Sequence, residues 1–222
     1  MPTVSQLLTR FLVDLASRAG FVWEKVTARY RDKATGRFVS EQVLVNLAES
    51  FTGLTQDTLT NITERMTTGK MPFADWQRQF VQELKDAYIV NAQIGRGGRN
   101  AMTQADYGRI GQRLRSEYKY FNAFSKEIAN GDLSAAQIQA RVDQYAAGTR
   151  KAYYDGRTAA AKDGGFTEER RVLNPAEHCT TQGDRTGCIE YAAKGWQPIG
   201  TMPEPGEGTP CRGNCKCAKE YR

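Results

Sequence analysis

All five cysteines and the single histidine of this 222-residue chain fall between His178 and the terminal Arg222. They stand as His178-Cys179, Cys188 and Cys211-x3-Cys215-x-Cys217, two donor clusters separated by a stretch rich in glycine and proline (Gly195, Pro198, Gly200, Pro203, Pro205, Gly206). A segment so short and so poor in aliphatic residues buries little apolar surface, so its order has to come from a bound ion or from cross-links.

Thiolates are soft ligands, and a tetrahedral zinc ion needs four donors gathered from a few short segments. Six candidates are present for four places: His178, Cys179, Cys188, Cys211, Cys215 and Cys217. The Cys-x2-Cys and His-x3-5-His pairs of common zinc modules are missing, which leaves disulfides and free thiols as alternatives to a structural zinc. Five is an odd number, so full disulfide pairing strands one thiol. Cys-His catalysis needs thiol and base facing each other across a cleft, whereas the neighbours His178 and Cys179 point in different directions along an extended chain. A zinc hydrolase would need an open coordination position and a carboxylate base such as Glu177 or Glu190, and an all-sulfur ligand set argues against it.

Redox context bears on the same choice. Met1 to Leu12 carries Arg10 within its apolar pattern and has no small-residue cleavage site, unlike a secretory leader. No run of about 18 uncharged apolar residues occurs, so no membrane partner is expected. A cytoplasmic place of synthesis follows, and it favours metal over disulfides.

Elsewhere the hydrophobic periodicity is helical. Leu7, Leu8, Phe11, Leu12 and Leu15 mark a short amphipathic helix over 4–17. Val22, Trp23, Val26, Tyr30, Phe38 and Val39, with turn chemistry at Asp32 to Gly36, mark a hairpin or extended arm. Ser40 starts a helix that reaches about Met66, with Gly53 as a candidate break and Gly69 as its stop. A further helix carries Phe73, Trp76, Phe80, Leu84 and Tyr88 on one face, with Gly95 past its end. Thr103 to Asn130 and Ser134 to about Ala161 form two long helices joined by Gly131-Asp132-Leu133, an αα-hairpin whose close approach is assigned to Gly108, Gly111 and Gly148. Arg170 to Leu173 lead as a strand into the cysteine segment. The expected class is mainly α, in three parts: 1–69 (helix, arm and linking helix), 70–165 (helical domain) and 166–222 (the cysteine-rich module).

The net charge of +6 lies mostly in the second half, since residues 1–95 hold 11 basic and 10 acidic side chains. Lys25, Arg29, Arg31, Lys33 and Arg37 interleave with Tyr30 and Phe38, the best phosphate-facing or partner-facing patch in the chain. Gly95-Arg96-Gly97-Gly98-Arg99-Asn100 lacks the lysine and hydroxyl residue of a phosphate-binding loop and reads as an inter-helix turn, from which Arg96 and Arg99 could touch a partner. A nucleic-acid-binding zinc module acting on DNA is therefore the second functional reading.

Three C-terminal segments, RRVLNPAEHC, IEYAAKGWQPIG and MPEPGEGTPCRGNCKC, resemble the signature of tailed-bacteriophage minor head proteins, the Mu F-like head morphogenesis family. The likeness spans residues 70–222 and is most specific at His178-Cys179, Gly195-Trp196, Pro203, Pro205-Gly206 and Cys211 to Cys217. It implies a non-enzymatic virion component, assembled in the host cytoplasm and present in multiple copies per particle. Such a component contacts the major capsid or portal protein, with packaged DNA as a further contact. One departure stands out: family tails carry a second cysteine three residues after the first, where this chain has Gln182 and delays its cysteine to Cys188. The ligand set is left open by that shift.

Overall fold

The computed structural model of the chain describes residues 15–174, 188–207, 215 and 217–222. Most of these are helical. In chain order they form α1 (Leu15–Arg18), β1 (Phe21–Glu24), β2 (Arg29–Asp32), α2 (Glu41–Thr67), α3 (Phe73–Arg96), α4 (Gln104–Asn130), α5 (Ala135–Gly148), α6 (Lys151–Asp163), β3 (Glu168–Val172), α7 (Cys188–Ala193), β4 (Gln197–Pro198) and β5 (Ala218–Tyr221). Most of the N-terminal helix expected over 4–17 lies outside the described residues.

α3 is the central element because its apolar residues serve more than one face. Trp76, Phe80, Leu84 and Tyr88 are fully buried, as the aromatic stripe predicts. Trp76 sits 5.3 Å from Phe121 and 6.1 Å from Phe124, and Phe80 stacks on Phe121 at 4.7 Å. The Trp76 indole N–H donates to Thr63 Oγ1 at 3.0 Å, so that buried donor is satisfied. Tyr145 of α5 closes the ring cluster, 5.4 Å from Phe80 and 5.8 Å from Phe124. A second apolar cluster joins Tyr30, Leu44, Phe51, Ala87, Val90, Tyr153, Tyr154 and Ala218, drawing on all three parts of the chain.

Helix ends follow local chemistry. Thr103 and Ser134 both make reciprocal capping boxes, with Asp106 and Gln137 respectively. Asp106 also receives Arg96 Nε at 2.9 Å. Burial pushes the Asp106 carboxyl up, but the Thr103 hydroxyl, Arg96 and the Thr103 backbone N–H outweigh it and hold it below the usual carboxylate range. Gly131 ends α4 at φ 76, the left-handed conformation that glycine adopts without strain.

Several boundaries differ from the expected ones. Gly53 does not break α2, which is continuous from Glu41 to Thr67; an isolated glycine inside a helix costs only about 1 kcal/mol, within reach of its packed face. α3 runs through Gly95 to Arg96, and Gly97 at φ 110 is its cap. The helix expected from Ser134 to Ala161 is interrupted at Thr149 and Arg150, where Ala152 and Tyr153 bond three residues back instead of four. Thr149 is tied there: its hydroxyl donates to Ala146 O at 2.7 Å and accepts from Asn91 Nδ2 at 3.1 Å.

The α4–α5 hairpin forms, yet the glycines assigned to it do other work or none. A Cβ at Gly108 or Gly111 would meet nothing within 4 Å, and at Gly148 only Tyr88 Oη at 3.6 Å. Bulky rings and the Arg141–Glu127 ion pair at 3.2 Å set the spacing of that hairpin instead. Close approach occurs where α3 crosses α6. A Cβ at Gly95 would lie 2.0 Å from Tyr153 O, and one at Gly156 would lie 2.4 Å from Ala92 O.

Around residues 20–40 the expected hairpin is present, with β1 and β2 antiparallel in the register Phe21↔Asp32 to Glu24↔Arg29. Its connection is Lys25–Ala28. The turn chemistry at Asp32 also appears: Asp32 Oδ1 accepts from the backbone N–H of Ala34 and Thr35, and the chain returns to bridge Phe38 with Arg31. The C-terminal strands form a small antiparallel sheet in the order β4-β3-β5. Among the described residues no helix is long and apolar enough to cross a membrane.

Candidate metal centre

The strand pairing that brings the end of the chain back to β3 also gathers the thiols. β5 pairs with β3 in the register Val172↔Ala218 to Glu169↔Tyr221, which places Cys217 directly before the strand. Cys215 and Cys217 both bring their sulfurs to this point. Cys188, at the start of α7, meets them. The three sulfur atoms lie within 4.8 Å of one another, and all three residues are buried.

Cys188 and Cys215 are not bonded; their sulfurs are 3.9 Å apart. Four sulfurs around a zinc ion at about 2.3 Å have tetrahedral edges of about 3.8 Å, so this spacing matches a shared ion. The buried triad could hold a metal ion. His178, Cys179 and Cys211, the other candidate donors, lie outside the described residues.

Electrostatics around the triad suit negative sulfur. The Arg171 guanidinium is buried, with Nη1 3.9 Å from Cys188 Sγ and Nη2 donating to Pro203 O at 2.5 Å. The Cys217 thiol is lowered to about 3, chiefly because its sulfur accepts from the Cys188 and Cys215 thiols, with the Asn174 backbone N–H and Arg171 adding to this against burial. Cys188 is pushed far up as the partner that keeps its proton. Ligand thiols must shed their protons on metal binding, and the Arg171 guanidinium beside the cluster favours that loss.

The helical body grips this module from beneath. Arg150 donates to Cys215 O and also pairs with Glu49 of α2 at 2.7 Å. Tyr154, one helical turn further along, donates to Cys217 O at 3.0 Å. Burial raises the Tyr154 phenol above its ordinary value, so it stays a donor at any physiological pH. Beside them lies a buried ionic group. Lys219 Nζ is 3.0 Å from Glu169 and 3.1 Å from Glu204, and it donates to Met202 O at 2.9 Å. Glu169, itself fully buried, accepts the Met202 N–H at 2.9 Å, so each charge keeps several partners.

Of the residues that sequence spacing singled out, the structure brings together Cys188, Cys215 and Cys217. Arg171, Arg150, Tyr154 and Lys219 were not singled out. The i,i+4 spacing of Arg150 and Tyr154 was visible, but nothing in it names backbone carbonyls 65 and 63 residues away as targets.

The basic hairpin is less open than its composition suggests. Arg31 pairs with Glu24 at 2.9 Å, and Arg29 and Arg31 stack on the Phe38 ring at 4.2 and 3.9 Å. Lys33 and Arg37 are exposed; Lys25 and Lys33 border a cavity of about 620 Å³ that is also lined by Trp23, Tyr30, Arg96 and Asp163. Arg96 corrects an expectation. It is not available to a partner, because it is buried and bound by Asp106 and Asp163 as the clasp between α3, α4 and α6. Arg99 is exposed in the short turn before α4. The glycines there serve packing: a Cβ at Gly97 would lie 2.3 Å from the Trp23 ring, which covers that peptide.

Comparison with known proteins adds no relative: no family model, no curated protein and no solved structure matches the chain.

Proposed function

We propose that this chain is a non-enzymatic component of a tailed-bacteriophage particle, a minor head or head-morphogenesis protein that contacts capsid shell or portal, and that its C-terminal module is built on a structural zinc ion. The observation that carries the proposal is the sulfur triad itself: Cys188, Cys215 and Cys217 are buried, share an ion-sized space and are anchored to the helical body through Arg150 and Tyr154. Cys215 and Cys217 lie in the segment whose sequence resembles the phage family tail, whereas Cys188 is where this chain departs from it.

Zinc fits the donor chemistry, since three thiolates form a soft set and the fourth place falls to His178, Cys179 or Cys211. When bound, the ion supplies folding free energy and no reaction. Buried sulfurs make poor nucleophiles, because attack on a substrate needs an accessible thiolate. Arg171 would balance the excess negative charge of the ligand set. Cross-linking the module to α2 and α6 suits a part that must survive inside a particle.

Mass spectrometry and cryo-microscopy of purified particles of the phage that encodes the chain test the assignment. The expected result is the intact chain at a fixed copy number, with density at the portal or the shell. Particles that lack it, together with a free chain turning over a small molecule, would overturn it.

A further inference from the structure

Among the described residues, α4 carries an exposed basic face with no ion-pair partner. Its exposed face runs through Gly108, Gln112, Arg115, Lys119, Asn122 and Lys126, spaced by three and four residues and therefore aligned along one side of the helix. No acid lies on that side. The three acids of α4 are all turned to other work: Asp106 holds Arg96 and Arg109, Glu117 accepts from Tyr88 Oη at 3.0 Å, and Glu127 pairs with Arg141 at 3.2 Å. Arg115, Lys119 and Lys126 have no ion-pair partner among the described residues.

We propose that this face of α4 is a binding site for the phosphate backbone of duplex nucleic acid. Three cations and two interspersed side-chain amides supply the donors that phosphate oxygens take. From Gly108 to Lys126 the face is about 27 Å long at 1.5 Å per residue, enough to follow several phosphates of one strand. A protein partner fits it poorly: protein interfaces are built around apolar and aromatic side chains and are depleted in lysine, and this face offers no apolar side chain larger than a methylene stem. Gly108, over which a Cβ would meet nothing within 4 Å, adds no bulk that would hold a backbone away. The contacts carry no base information, so binding is independent of sequence. This site is distinct from the basic hairpin, where Arg31 is already paired with Glu24, and it does not depend on the virion assignment or on the metal.

Fluorescence anisotropy of the full chain against a random-sequence DNA duplex of about 30 base pairs, long enough to cover the face, tests the site. With three phosphate contacts, log K is expected to fall with log salt at a slope of about −2.7, so affinity drops roughly 40-fold between 50 and 200 mM salt. Each of Arg115→Ala, Lys119→Ala and Lys126→Ala is expected to reduce the slope by about 1 and the triple variant to abolish binding, whereas Lys25→Ala with Lys33→Ala leaves the slope unchanged. Circular dichroism of the triple variant checks its helices; should they be lost, Lys119→Gln with Lys126→Gln replaces it and is expected to cut the slope by about 2. Absence of duplex binding by the wild-type chain at 50 mM salt overturns the site. So does wild-type binding by a folded variant, or competition by poly-glutamate as effective per charge as DNA.

Discussion

With the sulfur triad holding zinc as proposed, Cys215→Ser is expected to abolish metal binding and to release the C-terminal module while most of the helical body survives. Cys215 is fully buried, and its sulfur lies 3.9 Å from that of Cys188. A serine hydroxyl there is a harder and far less acidic donor, so the site loses a thiolate and keeps two neighbours with no cation to share. Structural zinc contributes about 10–16 kcal/mol of apparent binding free energy in small modules, and most of that is forfeited when a ligand goes. Metal content is expected to fall from about one ion per chain to a small fraction of that. Limited proteolysis should then cut between Cys188 and Cys217 within the time that leaves the wild-type module whole. Helical circular dichroism should change little, because the Trp76–Phe80–Phe121–Phe124 cluster involves none of the tail. A variant that kept both its metal and its protease resistance would remove Cys215 from the ligand set.

The second large effect is expected at the α3–α6 crossing. Gly95→Val places a Cβ 2.0 Å from Tyr153 O and 2.8 Å from Arg157 N, both backbone atoms that cannot swing aside. The helices have to separate, and Arg157, which clasps Glu41 and donates to Ala28 O at 3.1 Å, moves with α6. Overpacking of this kind costs about 3 kcal/mol or more, a fall of roughly 6–12 °C in melting temperature for a chain of this length. Gly108→Ala on α4 is the control. Its Cβ meets open space, and the gain in helix propensity is about 1 kcal/mol. Equal shifts for the two substitutions, read by thermal denaturation, would refute the close crossing.

That contrast shows what one sequence can and cannot convey. Periodicity located α3 and α4 within a residue or two, because an aromatic at every third or fourth position leaves one way to bury it. Caps were legible for the same reason: Thr103, Ser134 and Gly69 carry local chemistry that acts within one turn. Glycine was misread because its role depends on what lies opposite; a Cβ at Gly108 or Gly111 would meet open space, while one at Gly95 or Gly156 would meet backbone. The break at Thr149 was hidden likewise, since Asn91, Glu49 and Cys215 O are distant in sequence and each holds one side of it.

At the site, composition alone pointed to the cysteines; the pairing of β3 with β5 positions Cys215 and Cys217, and the packing of α7 against β3 brings Cys188 to them. Arg171 illustrates the opposite case. It looked like one more strand residue, yet it is the buried cation beside the sulfurs, a role set by tertiary placement. Arg96 was assigned outward because Gly95 to Asn100 read as a turn that contained it; α3 extends through Arg96, and two carboxylates from other helices turn it inward.

X-ray absorption at the zinc edge, on reduced full-length chain purified without added metal, addresses the sulfur cluster most directly. About one zinc per chain, with three or four sulfur neighbours at about 2.3 Å, is the predicted result. A chain that stays folded and protease-resistant with no metal, or a metal surrounded only by nitrogen and oxygen, would contradict it.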